Sequence, residues 1–414
     1  KTETNLDGTP AILQDASKIV DTIILFAFQN NASDIHIEPH KDFVVVRYRV
    51  DGLLSTIVEL PLAVTDLITT RIKVLAKLRT DEHRAAQDGR FKIELENNEI
   101  TLRVSIVPVY DGEKIVMRIL SSSSQGLSLE SLGYSQHNLE VIHNAMLKTY
   151  GILLVTGPTG SSKTTTLYTI LKMLNSPEVN LSTIEDPIEY RLEGVNQIQV
   201  NAKTNLTFAN GLRSLLRQDP DVVMIGEIRD EETAGIAINA ALTGHLVLAT
   251  LHTNDAASTL PRMMEMGVAS FLLAATAKMV VAQRLVRRIC DHCKVPYQMP
   301  REQLDRFTKK FNLKDDLVAV FTGLQQGVMP EVLTLSKGQG CDICHGSGFK
   351  GRVSISEVME VSDSIQKGIL DNVPPKQLEA TAKQEGMQTI FMDGLQKVLD
   401  GVTTLEEVLR VMRS

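Results

Sequence analysis

The sequence predicts an α/β chain: a mostly parallel sheet with helices on both faces, preceded by a smaller α+β unit. Three observations carry this expectation. Four short apolar runs, "GILLVT", "LSTIE", "DVVMIGE" and "HLVLATLH", alternate with helical stretches between residues 151 and 252. Such runs fit strands buried on both faces. "SSSSQG", residues 121 to 126, is the best linker in the chain. The segment ahead of it reads as a mixture of helices and separate strands.

Each front element has its own signal. Ile12, Leu13, Ala16, Ile19, Val20, Ile23, Ile24 and Ala27 recur at helical spacing. "FVVVRYRVDG" reads as a strand ending in a turn, and "VTDLITTRIKVLAKL" as a second helix. "RFKIELE", "EITLRVSIVPV" and "KIVMRIL" read as strands, the first two joined at Asn97-Asn98. Beyond the linker, "SQHNLEVIHNAMLKTY" reads as a helix leading into the parallel sheet. The expected domains are an α+β unit over 1–120, a linker over 121–131 and a larger α/β unit over 132–414.

Composition sets bounds. At 414 residues two or three domains are expected. Apolar residues at 43% and charged residues at 22% mark a globular chain. A net charge of -7 argues against a large nucleic-acid surface, so no direct nucleic-acid partner is expected. No apolar run reaches the ~18 residues a spanning helix needs. The chain opens on Lys1 with a polar stretch, and an upstream domain is expected.

"GILLVTGPTGSSKTTTLYTI" supplies the chemistry. A strand, a glycine-rich loop and a helix make an anion site, because loop amides and the helix N-terminus face the phosphates. Gly157, Pro158, Thr159, Gly160, Ser161, Ser162, Lys163, Thr164 and Thr165 form the expected nucleotide cradle. Lys163 would reach the β- and γ-phosphates, and Thr164 would hold Mg²⁺. The usual pattern is G-x-x-x-x-G-K-[ST], and here Ser162 replaces its second glycine. Glycine there supplies positive φ or close approach. Downstream, Glu185 and Asp186 end one apolar strand, and Glu227 follows another. Strand-end carboxylates beside a phosphate loop would order Mg²⁺ and the attacking water. His245 and His252 flank a fourth strand, where they would sense the γ-phosphate or pass its state to a neighbour.

All four cysteines lie after residue 289, as "CDHCK" and "CDICHGSGF". Two C-x-x-C knuckles from Cys290, Cys293, Cys341 and Cys344 read as a closed four-thiolate Zn²⁺ site. The long gap between them implies an inserted subdomain, about 286–352, closed by the metal and followed by a helical tail, about 356–414. His292 and His345 stand beside the cysteines as alternative ligands.

In order, "ASDIHIEP", "RYRVDG", "AAQDGR", "GPTGSSKTTTLY", "STIEDPIE", "DPDVVMIGEIRD" and "HLVLATLHTNDA" resemble the secretion ATPase superfamily of the GspE/PilB kind. These are motors of type II secretion and type IV pilus assembly. The resemblance implies a RecA-like P-loop ATPase core, an N-terminal α+β (PAS-like) domain and a tetracysteine zinc subdomain. It implies a homo-hexamer that binds ATP, Mg²⁺ and Zn²⁺. The nucleotide would sit between the front domain and the RecA-like domain of each subunit. Glu227 would be the general base and Glu185 would assist with water or Mg²⁺. Arg90, Arg103 and Arg118 match the family's front-domain arginines. Further expectations are an inner-membrane platform protein as partner, accessory proteins met through an upstream domain, and a cytoplasmic, peripheral place at the inner face of the membrane.

The tetracysteine element is common in the assembly and secretion motors and generally absent from retraction motors, which favours pilus assembly. Type II secretion and DNA uptake remain open, and Ser162 keeps a non-hydrolysing assembly subunit in view. A zinc-bearing nucleic-acid translocase fits the acidic balance poorly.

Overall fold

The computed structural model describes residues 11–95, 98–121, 128–303, 306 and 332–413. Contacts divide the chain into two units, Lys1–Gly126 and Leu127–Ser414. The expected turn residue Asn97 and the linker residues 122–127 lie outside the described residues.

The first unit runs α1 (Ala11–Gln29), β1 (Ala32–Pro39), β2 (Phe43–Val50), β3 (Leu53–Pro61), α2 (Thr65–Leu75), β4 (Gln87–Leu95), β5 (Asn98–Val109) and β6 (Gly112–Ser121). Its six strands form one antiparallel sheet in the order β3-β2-β1-β6-β5-β4. Val20 and Ile24 of α1 and Ile68 and Ile72 of α2 share a core with Ile35, Val46, Leu102 and Met117 of the strands. The sequence reading missed β1 and β3 for different reasons. β1, "ASDIHIEP", mixes acids and a histidine into its length. β3 is an edge strand with most of its side chains exposed, so burial imposes no alternation on it.

The second unit begins with α3 (Leu129–Leu132), α4 (Gln136–Met146), β7 (Gly151–Thr156), α5 (Lys163–Leu174), β8 (Leu181–Glu185) and β9 (Asn196–Gln199). It continues through α6 (Phe208–Leu215), β10 (Val222–Ile225), α7 (Glu231–Leu242), β11 (Leu246–Leu251), α8 (Ala256–Glu265) and α9 (Ser270–Thr276). A long strand β12 (Ala277–Ile289), a hairpin of β13 (Lys294–Pro300) and β14 (Val332–Gly338), and β15 (Phe349–Glu360) follow. The tail holds α10 (Asp363–Leu370), α11 (Pro375–Gln384), α12 (Ile390–Leu399) and α13 (Leu405–Met412).

The main sheet has the order β15-β12-β7-β11-β10-β8-β9. Every neighbour pair is parallel except β12 with β15. Alternate residues feed two cores, as the strand pleat requires. Leu153, Val155, Met224 and Leu248 pack with Ile142 of α4 and Leu167 and Leu171 of α5. Ile152, Leu154, Val223 and Val247 pack with α7, α8 and tail residues such as Phe391 and Leu395. Both faces are thus covered, which explains the wholly apolar runs.

Two expected boundaries shift. β15 runs to Glu360, so the helical tail starts at Asp363 and not near 356. β12 reaches Ile289 and pairs with β15 as far as Phe349, so the insertion narrows to 290–348. The physical reason is that this strand pair belongs to the main sheet and its core.

Candidate functional site

The loop between β7 and α5 spans Gly157 to Ser162. Gly157 is required by close approach: a Cβ there would lie 2.4 Å from the Gln283 carbonyl and 2.7 Å from the Ser161 Oγ. Ser162 occupies the left-handed region, φ 67° and ψ 28°, and its side chain makes no capping hydrogen bond to α5. The serine has therefore taken the backbone conformation that glycine supplies in the usual pattern. Its carbonyl accepts from the Thr166 amide at 3.1 Å, which opens the helix. Thr159 and Gly160 are exposed, Pro158 is half-buried, and Thr164 and Thr165 are half-buried in the first turn of α5. The Lys163 ammonium donates to the carbonyls of Gly157 at 2.8 Å and Pro158 at 3.2 Å. Burial pushes this lysine down to about 8, against the opposing pull of Glu227.

Glu227 follows β10 and is buried. It pairs with Arg229 at 2.5 Å and meets His252 Nε2 at 3.4 Å. Burial, then the charge of Lys163, lowers His252 below its ordinary value, while Glu227 opposes them. Gly226 stands where many such motifs carry an acid. A Cβ there would sit 3.2 Å from the Glu185 Cα, so the neighbouring strand leaves little room for a side chain. Threonines lock these strand ends together. Thr250 donates to the Gly226 carbonyl at 2.5 Å, and Thr156 Oγ1 accepts from the Thr253 amide at 2.8 Å.

Two expectations are corrected by this geometry. His252 follows β11 at the edge where Thr156 leads into the loop. His245 precedes the same strand, and its carbonyl accepts from Gly151 at the start of β7. Seven residue steps at ~3.3 Å each put the two histidines about 23 Å apart. Only His252 therefore shares the phosphate-loop edge. His245 instead has Nδ1 3.0 Å from the Ala240 carbonyl at the end of α7. Glu185 is the second case. Tyr168 donates to Oε2, while Thr183 at 2.5 Å and Gln197 at 3.2 Å donate to Oε1. Burial raises its carboxyl, and those three donors pull the other way. Both of its oxygens are engaged by protein groups. The adjacent Asp186 is exposed, and its charge acts on Arg229.

In the first unit the strand register aligns a row across one sheet face. Arg49 of β2 stands opposite Asp34 of β1, which stands opposite Arg118 of β6. Arg118 faces Arg103 of β5, and Arg103 faces Arg90 of β4. Arg118 donates to Asp34 at 3.0 Å, and Arg49 lies 3.8 Å from the same carboxylate. Arg90, Arg103 and Arg118 are exposed. Among the described residues Arg90 and Arg103 have no acidic partner. Like charges directly opposite in a sheet are unfavourable, so a net excess of cations here suits an anion. Arg49 and Asp34 were missed in the sequence, because only the register reveals their place in the row.

The four cysteine sulfurs lie within 4.8 Å of one another. Three separations are 3.9 Å (Cys290–Cys341), 3.8 Å (Cys293–Cys344) and 3.7 Å (Cys341–Cys344). A tetrahedral zinc with bonds near 2.3 Å sets its sulfurs about 3.8 Å apart, so the donor set fits. These spacings are far too long for disulfides. Burial raises the Cys344 thiol, but amides of Cys341 at 3.1 Å and Gly348 at 3.2 Å donate to it and help bring it down to about 6. Such donors favour a thiolate, the form a metal takes.

Comparison with known proteins agrees with this geometry. The family model described as "Type II/IV secretion system protein" matches residues 13–410. The type IV pilus assembly ATPase TfpB of Acinetobacter baylyi is 46% identical over 400 residues, covering 96% of this chain. The chain spans 66% of that relative's length. Type II secretion system protein E of Pseudomonas aeruginosa is 44% identical over 396 residues, covering 96% of this chain and 75% of the relative. Among solved structures, the pilus retraction motor PilT with bound ADP superposes with a TM-score of 0.63 at 25% identity, covering 95% of this chain and 96% of that one. The Legionella pneumophila ATPase DotB shares the fold at a TM-score of 0.67 and 20% identity, covering 96% and 95%. This chain belongs to the type II/IV secretion system protein family.

Proposed function

We propose that this chain is an ATP-hydrolysing motor that powers type IV pilus assembly. It would work as a homo-hexamer at the cytoplasmic face of the inner membrane and drive a membrane platform protein. One observation carries the reading. Lys163 and Glu227 stand at the same edge of the main sheet's parallel strands, where His252 Nε2 meets Glu227 at 3.4 Å. Relatives named as pilus assembly ATPases and a structural relative holding ADP support it. No helix among the described residues is long and apolar enough to cross a membrane, which suits a motor acting through partners.

In this reading the loop amides from Gly157 to Thr165 hold the phosphates. Lys163 exchanges its two carbonyl partners for phosphate oxygens, which would favour its charged form. Thr164 would hold Mg²⁺, which would screen the phosphate charge. Glu227 takes the proton of the attacking water as its oxygen bonds the γ-phosphorus and the bond to ADP breaks, leaving ADP and phosphate. His252, kept neutral, orients the Glu227 carboxylate. Arg90, Arg103 and Arg118, aligned across the first unit's sheet, would supply guanidinium charge to a phosphoryl group. Zn²⁺ held by Cys290, Cys293, Cys341 and Cys344 would be structural, since four protein sulfurs would leave no open position.

Glu227→Gln tests the assignment. Loss of a general base lowers turnover about 10²–10⁴-fold, while ADP binding should persist. Wild-type turnover in that variant would remove Glu227 from its role. Nucleotide binding without turnover in the unmodified protein would favour a non-hydrolysing assembly subunit. A second cargo, type II secretion, is favoured by the 44% identity to a secretion system protein E.

A further inference from the structure

Gln283 of β12 is almost fully buried, and both the nitrogen and the oxygen of its amide are hydrogen-bonded inside the second unit. Its Nε2 donates to the Ser161 carbonyl at 2.5 Å. Its Oε1 accepts from the Tyr134 hydroxyl at 2.6 Å and from the Thr166 hydroxyl at 2.8 Å. The two hydroxyls stand 3.0 Å apart. Burial pushes the Tyr134 phenol far above its ordinary value, so it remains a donor. The mechanism above uses none of these three side chains. An apolar set of similar volume would fill the space, but it would orient nothing.

What the network orients is one peptide. A trans peptide points its C=O and N–H in opposite directions, and the peptide joining Ser161 to Ser162 is trans. Gln283 holds the carbonyl toward β12, so the Ser162 amide points away from β12. That amide immediately precedes Lys163, in the stretch that would meet phosphate oxygens. The backbone carbonyl of the same Gln283 crowds Gly157 at the other end of the loop. One residue therefore bounds both ends of the cradle. Tyr134, just beyond α3, fixes the amide's orientation: with Oε1 accepting two hydroxyls, only Nε2 is left to face Ser161.

We infer that Gln283 is a positioning residue for the phosphate loop, oriented by Tyr134, and that together they set nucleotide affinity. The inference rests on the proposed nucleotide reading. The test is calorimetric titration of Mg·ADP into the full zinc-loaded chain and its Gln283→Met, Gln283→Glu and Tyr134→Phe variants. Circular dichroism and zinc content are followed in parallel. Loss of one orienting hydrogen bond should weaken ADP about tenfold in Gln283→Met. Gln283→Glu should be weaker still at pH 8, where a carboxylate opposes the Ser161 carbonyl. It should recover toward pH 5.5, relative to wild type at the same pH, as protonation restores a donor. A residue that only supports folding would lower thermal stability without that recovery. Wild-type ADP affinity in folded Gln283→Met overturns the inference. Should that variant fail to fold, Tyr134→Phe carries the test, with about threefold weaker ADP expected and unchanged affinity overturning it. No ADP binding by the wild type would instead sink the nucleotide reading beneath it.

Discussion

Replacing Ser162 by glycine separates what the loop's departure costs from what it does. Ser162 holds φ 67° and ψ 28°. An L-residue in this basin costs roughly 1–2 kcal/mol, and glycine there costs none. The serine hydroxyl makes no capping bond that would offset the strain. Glycine loses roughly 0.5–1 kcal/mol more backbone entropy on folding. The difference is a net stabilisation of about 0.5 kcal/mol, bounded by roughly 0 and 1.5. For a unit of this size that raises the melting midpoint by about 1–2 °C. Turnover should stay within about threefold, since both residues place the amides alike. Ser162→Val is the opposing control. A β-branched side chain fits this region worse still, so a loss above about 1 kcal/mol is expected. Denaturation midpoints of the zinc-loaded chain and steady-state ATP turnover read both quantities. A glycine variant less stable by more than 1 kcal/mol, or a valine variant equal to wild type, would refute strain as the meaning of Ser162.

Two further outcomes follow from the second unit. Metal analysis should find one zinc per chain, and Cys341→Ser should lower both zinc content and thermal stability. Full reaction of all four thiols with a thiol reagent in the native, metal-free protein, at unchanged stability, would exclude a structural metal. Glu407 is buried, yet Arg410 at 2.8 Å and Arg287 at 2.6 Å outweigh that burial and hold it down to about 2. A carboxyl lowered on folding contributes stability above its ordinary value near 4.5, lost as pH falls toward 2. The nominal shift is about 3 kcal/mol, discounted to roughly 1–2 because Arg410 is partly exposed. Denaturation between pH 7 and 3 should show this slope in the wild type and a flatter one in Glu407→Gln, and equal slopes would refute the pairing.

What was legible in the sequence was local chemistry. The phosphate loop, the strand-end Glu227 and the two cysteine pairs each declare themselves within a dozen residues. What was hidden depends on direction, register or distance along the chain. His245 and His252 flank one strand and look equivalent as text, but a parallel strand has only one end at the site. Glu185 looks like a free strand-end acid until Tyr168 and Gln197 close on it from α5 and β9. Asp34 and Arg49 join the arginine row only through pairing of β1, β2 and β6. Tyr134 and Gln283 are 149 positions apart, and no local pattern links them. In the sequence "QRLVRRIC" reads as a helix face paired with acids, because its glutamine and three arginines interrupt the apolar run, whereas the segment is part of strand β12. Two of those polar residues, Gln283 and Arg284, prove to be buried in a structured role.

The same network explains how a strained serine persists in this loop. A residue in a sparse backbone region survives when its surroundings over-determine it. The peptide before Ser162 is held through the Ser161 carbonyl by Gln283, and the Ser162 carbonyl is held by the Thr166 amide. Thr166 also donates its hydroxyl to Gln283, so both anchors meet in one buried cluster. With each flank of Ser162 fixed, relaxing its φ would break a buried hydrogen bond worth about as much as the strain, on the order of 1 kcal/mol. Glycine is then dispensable at this position, because the φ that it would otherwise supply is imposed from β12 and α5. It follows that the substitutions should be coupled: the stability advantage of glycine over serine at 162 should shrink in a Gln283→Met background, where the bond that keeps the serine from relaxing is gone. A double-mutant cycle that finds the two changes additive would separate the loop's backbone from the cluster beneath it.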